Sequence, residues 1–118
     1  MRIVQFTMSR CVEHNYELLK LLSKTKGKKR EAIINASEND LIKAISECVH
    51  NVLSGNVELT PEEKRKLAPK KKHLRDLADS KVSFKQKREV IQRGGNLLAV
   101  LLPPVIESLG RLLFQKSH

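Results

Sequence analysis

Ser37-Glu-Asn-Asp-Leu-Ile-Lys-Ala-Ile-Ser-Glu-Cys-Val-His-Asn-Val-Leu-Ser-Gly55 is the stretch on which the reading of this 118-residue chain turns. Leu41, Ile45, Cys48, Val49 and Val52 recur at i, i+4, i+7, i+8 and i+11, one stripe of a 3.6-residue helix, and Ile42 and Leu53 widen it. Ser37 with Asp40 three residues on has the form of a capping box at the start, and Ser54-Gly55-Asn56 offers a left-handed stop. A helix with so broad an apolar stripe must bury it, and the shorter helical segments on either side are what it has to bury it against. The expected fold is therefore all-α: a small single-domain bundle of short helices around a central amphipathic helix.

Outward from that helix, Arg10 to Leu22 is leucine-rich at helical spacing, with Glu13 and Glu17 early in it, where the dipole favours acids. Residues 1–9 carry no period and read as a loose N-terminal extension to a single domain over 10–118. Gly27 reads as a stop, Thr25 to Arg30 as a solvated basic loop or part of a phosphate-contacting surface, and Glu31 to Ala36 as a short helix whose Ile33 and Ile34 close over the central one. Beyond Gly55 three start signals follow. Thr60-Pro61-Glu62-Glu63 opens a helix to about Leu67, Pro69 opens the next, with Leu74, Leu77 and Ala78 inward, and Ser83-Phe84-Lys85-Gln86 is a capping box for a helix that stops at Gly94-Gly95.

Composition bounds the function. A chain this short buries only about two-thirds of its unfolded surface, so its stability margin is thin. With three Phe, one Tyr and no Trp it lacks the rings for a base-stacking platform. The net charge is +10, and residues 61–93 hold twelve Lys or Arg against five acids, a net of +7, whereas residues 1–60 hold nine against seven. Lys64, Arg65, Lys66, Lys70, Lys71, Lys72, Arg75, Lys85, Lys87, Arg88 and Arg93 form the candidate nucleic-acid-binding constellation. Phosphate contact needs mobile or forked cations and helix ends, not a fixed spacing, so the expected partner is the backbone of duplex DNA. The competing reading of the same residues is a set of solvated helix faces, which would leave a helical protein-interaction domain or a membrane-active protein as the function. Pro69-Lys-Lys-Lys-His-Leu-Arg75 and Lys26-Gly-Lys-Lys-Arg30 also have the form of nuclear-import peptides.

The C-terminal segment 97–114 is apolar. Leu97 to Leu102 run without a break, Pro103-Pro104 interrupt them, and Val105, Ile106, Leu109, Leu112 and Leu113 resume a stripe with Glu107 and Arg111 outside it. The run falls short of the about 20 apolar residues of a membrane span. It is expected as a proline-kinked helix pair whose Leu98, Leu101, Leu102, Val105, Ile106, Leu109, Leu112 and Leu113 pack on Leu18 to Leu22, form a self-association surface, or lie on an anionic membrane. The last alternative has the layout of melittin-type lytic peptides.

Chemistry beyond binding finds no motif. His14, His50, His73 and His118 are scattered, Cys11 and Cys48 have no metal-ligand or scaffold spacing, and no nucleophile motif or phosphate-cradling loop is present. The expectation is no enzyme, no metal, no cofactor and no small-molecule substrate. The first eight residues lack a signal-peptide core, which predicts an intracellular and, with the basic peptides, nuclear protein.

The ordered series Lys29-Arg30, Gly55-Asn56-Val57, Leu59-Thr60, Lys64-Arg65-Lys66-Leu67, Leu74-Arg75, Leu77-Ala78, Lys81-Val82-Ser83 and Gln92-Arg93-Gly94-Gly95 before an apolar tail resembles small basic proteins of Polinton (Maverick) elements and adintoviruses. The resemblance covers residues 28–114. Such elements carry adenovirus-like virion genes, so it implies a virus-derived protein acting in virion DNA packaging or in membrane passage, with no catalytic residues to carry over.

Overall fold

In a computed structural model, which describes residues 9–94 and 97–116 and side chains as far as Arg111, the chain is all-α among the described residues. Its centre is the helix Asn39–Leu53, which becomes α4 once the chain is taken in order. This helix buries Leu41, Ile42, Ala44, Ile45, Cys48, Val49 and Val52 while Lys43 and His50 stay exposed. Burial on so much of its circumference makes it the element around which the others pack. Leu53, counted above with its stripe, instead stands 43% exposed.

Helices α1 (Arg10–His14) and α2 (Tyr16–Lys24) replace the single leucine-rich helix expected from sequence. The break is at Asn15, a buried residue whose Nδ2 donates to Cys11 O and to Asp40 Oδ2, both at 2.8 Å. Asp40 therefore does not close a capping box with Ser37. Its carboxylate accepts from Asn15 and Cys11, and these hydrogen bonds, Asn15's first, hold its pKa below the ordinary value. Ser37 ends α3 (Gly27–Ala36), its Oγ donating to Ile34 O at 2.7 Å, and Glu38 occupies the N-cap position of α4 without a side-chain bond. Helix α3 starts at Gly27, whose φ of +56° glycine tolerates, so Lys28, Lys29 and Arg30 lie in a helical first turn and not in a loop.

The stop of α4 is as expected. Gly55 lies at φ +76°, Gly55 N–H donates to Val52 O (3.1 Å) and Asn56 N–H to Asn51 O (2.9 Å), the paired bonds of a Schellman motif. Helix α5 (Pro61–Leu67) has the full capping box: Glu63 N–H to Thr60 Oγ1 at 3.1 Å, and Thr60 N–H to Glu63 Oε1 at 2.8 Å. The chain then passes through a 3-10 turn, Ala68–Lys70, so Pro69 tightens a continuous path and α6 (Lys71–Ala78) begins only after it. Ser83 and Gln86 cap α7 (Phe84–Arg93) reciprocally.

The C-terminal helix α8 runs as one element, Leu97–Lys116, with Pro103 and Pro104 inside it, which corrects the expected helix pair. The two rings remove the donors that would meet the carbonyls of Ala99 and Val100 and crowd those carbonyls, at about 3 kcal/mol for an interior proline. Against that stand Leu97, Leu98, Leu101, Leu102, Val105 and Leu109, all at most 1% exposed, at about 1.5 to 3 kcal/mol for each large apolar side chain buried. Continuing as one helix keeps both halves of the stripe on the core. Helix α8 packs most extensively on α2, whose Leu19 and Leu22 are buried while Leu18 and Leu21 face outward.

Candidate nucleic-acid interface

Three helices carry the basic residues, and each is oriented by a thin apolar stripe. In α6, Leu74 and Leu77 are 3% and 0% exposed, the 100° step per residue sends Lys72 and Arg75 to the far side, Lys71 lies at the flank of the stripe in the first turn, and all three cations are exposed. In α5 the single buried residue is Leu67, leaving Lys64, Arg65 and Lys66 outside. In α7 the buried residues are Ile91 and, against expectation, Lys87.

The eleven predicted cations therefore divide. Lys64, Arg65, Lys71, Lys72, Arg75, Lys85 and Arg93 are exposed and have no hydrogen bond or ion pair among the described residues. Lys66 is also exposed and makes an i, i+4 pair with Glu62 at 3.3 Å. Both partners are more than half exposed, so the pair contributes little and a phosphate can replace the carboxylate. Arg93 lines a small cleft with Asp76 and Glu89, which offset part of its field.

The other three face the protein. Lys70 Nζ donates to Gly94 O at 2.7 Å, a cation on the carbonyl end of α7. The Arg88 guanidinium donates to Ile34 O, to Ser37 O (2.7 Å) and Ser37 Oγ (3.2 Å), and to Asn39 Oδ1 (3.2 Å), so it closes the C-terminal end of α3 and spans the junction with α4. Lys87 is 5% exposed, with Nζ donating to Ser46 Oγ at 3.1 Å, and loss of water around it lowers its pKa below the ordinary 10.5. Sequence reasoning had no means of separating these three, since their partners lie 24 to 54 residues away.

Two groups of cations outside the constellation are equally exposed. Lys28 and Lys29 stand on the first turn of α3, and Lys81 on the connection from α6 to α7, where its backbone N–H donates to Asp79 Oδ1 at 2.9 Å. The twelve-against-five charge count was the signal that covered Lys81; the reading of residues 25–30 as a loop hid the helical placement of the other two.

Of the apolar tail residues, Leu98, Leu101, Leu102, Val105 and Leu109 are core and Ile106 is partly buried against it, while the side chains of Leu112 and Leu113 lie outside the described residues. Among the described residues no helix is long and apolar enough to cross a membrane, and no group of His, Cys, Asp or Glu is arranged to hold a metal ion. Cys11 and Cys48 are free thiols; burial is the first cause in both, pushing Cys11 up to about 11 and Cys48 up to about 12. In comparisons with known proteins, no family model, no curated protein and no solved structure matches this chain.

Proposed function

We propose that this protein is a sequence-nonspecific DNA-binding or DNA-compacting protein that acts without catalysis, contacting the phosphate backbone mainly through Lys71, Lys72 and Arg75. The observation that carries the reading is the placement of α6: its leucines are in the core, and its three cations are exposed and form no ion pair among the described residues. Lys64, Arg65, Lys66, Lys85 and Arg93 extend the cationic surface, while Lys70, Lys87 and Arg88 drop out of it because their head groups are engaged inside the fold. With only three Phe and one Tyr, stacking on unpaired bases contributes little, which favours duplex over single-stranded DNA. The resemblance to Polinton and adintovirus proteins points this binding toward a virion core, and the basic peptides toward the nucleus. The membrane-active alternative has less support, since the apolar residues it would use are core in this conformation.

Gel retardation of unrelated duplexes of equal length tests the reading. Similar affinities at low salt, lost in the Lys71→Glu/Lys72→Glu/Arg75→Glu triple variant with its circular dichroism unchanged, are the expected result. Absence of retardation at low salt, or full retardation by the triple variant, contradicts it.

A further inference from the structure

The cavity beside α7 contains Lys87, the one buried cation among the described residues, which the DNA-binding reading leaves without a use. Lys87 enters it 5% exposed and makes a single side-chain hydrogen bond, to the neutral hydroxyl of Ser46, whose own proton goes to Ile42 O at 3.0 Å. A lysine ammonium has three donors, and no carboxylate lies within ion-pair distance of it among the described residues; Asp79 acts on it only through space. An almost buried ammonium with one neutral partner is costly, and a cavity opening onto it lets an anion from solution supply what the fold omits.

The surroundings suit an anion with an apolar body. The cavity measures about 620 Å³, the size of a small-ligand site, and Lys43, Lys81 and His50 stand around it against a single acid, Glu47, whose carboxylate already accepts from Ser9 Oγ. The N-terminal end of the ten-residue α7, at Ser83 and Phe84, faces the same space and adds the positive end of its dipole. Val82 and Phe84 supply the apolar wall, and Phe84 is 37% exposed, a large ring with surface left to cover.

We propose that the cavity lined by Lys87, Lys43, Lys81 and Phe84 binds a small organic anion, a carboxylate or phosphate monoester carried on an aliphatic chain, with the head group on Lys87 Nζ and the chain against Phe84 and Val82. The site is independent of the α6 surface, so it stands whether or not the protein binds DNA.

Calorimetric titration of the full chain with octanoate, octyl phosphate and octan-1-ol tests it. Both anions, or the one whose head group fits, should bind more tightly than octanol, and Lys87→Met should cut anion affinity by about tenfold or more, the worth of a charged hydrogen bond, while leaving octanol binding as it was. In the wild type, saturation with the tighter-binding of the two anions should move the Lys87 ¹³Cε titration to higher pH, a readout that needs no variant to fold. Octanol binding as tightly as the better of the two anions, no binding of either anion, anion affinity unchanged in Lys87→Met, or a Lys87 titration that the tighter-binding anion does not move would each overturn the assignment.

Discussion

Helices α6 and α7 are close in length and alike in charge, and the fold uses them in opposite ways. In α6 Leu74 and Leu77 hold the inward side, and Lys71, Lys72 and Arg75 are left in solvent. In α7 the apolar stripe is thinner, with Ile91 buried and Val90 only partly so, and the inward side is completed by Lys87 and Arg88. Arg88 can be accommodated because the carbonyls of Ile34 and Ser37 at the end of α3 still have capacity to accept, and a guanidinium is shaped to reach both. A run of basic residues thus says how much charge a segment carries; which of those charges reach a partner depends on what the neighbouring elements leave unsatisfied.

Substitutions in the two helices should separate along this line. The largest effect is expected for Arg88→Ala, which strips hydrogen bonds from Ile34 O, Ser37 and Asn39 together and should destabilise the protein by about 2 to 3 kcal/mol, as removal of a part-buried charged hydrogen-bond donor does. Chemical denaturation measures it, and a loss below that of a surface substitution would mean that Arg88 is not the clasp between α3 and α4. Lys70→Met comes next: it removes the Nζ bond to Gly94 O and should cost about 1 kcal/mol in the same assay. Single replacements of Lys71, Lys72 or Arg75 by Gln should stay within about 0.5 kcal/mol, the usual range for surface changes, and show instead in DNA affinity.

Lys87 gives a prediction of opposite sign and smaller size. Its folded pKa lies below 10.5 because burial disfavours the ammonium, so the unfolded chain holds the extra proton in the window between the folded value and 10.5. Stability from this group is therefore lowest below the folded value and rises with pH across the window. The thiols work the other way: Cys48, raised from 9.0 to about 12, and Cys11, raised to about 11, lose stability as pH climbs above 9. Subtracting the pH–stability curve of Lys87→Met from that of the wild type cancels the thiols and should leave a rise toward alkaline pH. A flat difference would mean that Lys87 is solvated in the native protein.

How far the fold was legible follows from the range of the interactions that set it. Thr60 and Ser83 announce their helices because a capping box is closed by residues three apart, and Gly55 announces a stop because its positive φ is a local demand. Ser37 misled because the same residue type serves either end of a helix: here its hydroxyl bonds back to Ile34 O and accepts from Arg88, 51 residues on. Asp40 was likewise claimed by Asn15, 25 residues earlier. Pro103 and Pro104 read as a break because proline's local cost is visible in sequence, whereas the core that offsets it, Leu19 and Leu22 against α8, is assembled only in three dimensions. The candidate interface was legible as a segment and not residue by residue, and the cavity beside Lys87 left no trace, since a buried lysine and an exposed one are the same letter.

The claim that α6 presents its cations to phosphate while α7 turns two of its own inward is tested most directly by the salt dependence of duplex binding, measured by fluorescence anisotropy from low to physiological salt for the wild type and the Lys71→Gln/Lys72→Gln/Arg75→Gln triple variant. With about five to eight phosphates neutralised, log affinity should fall against log salt with a slope of about −4 to −7 in the wild type, and the triple variant should lose about 3 from its magnitude, one for each contact removed. The same slope for both proteins, or a wild-type affinity that does not respond to salt, would contradict it.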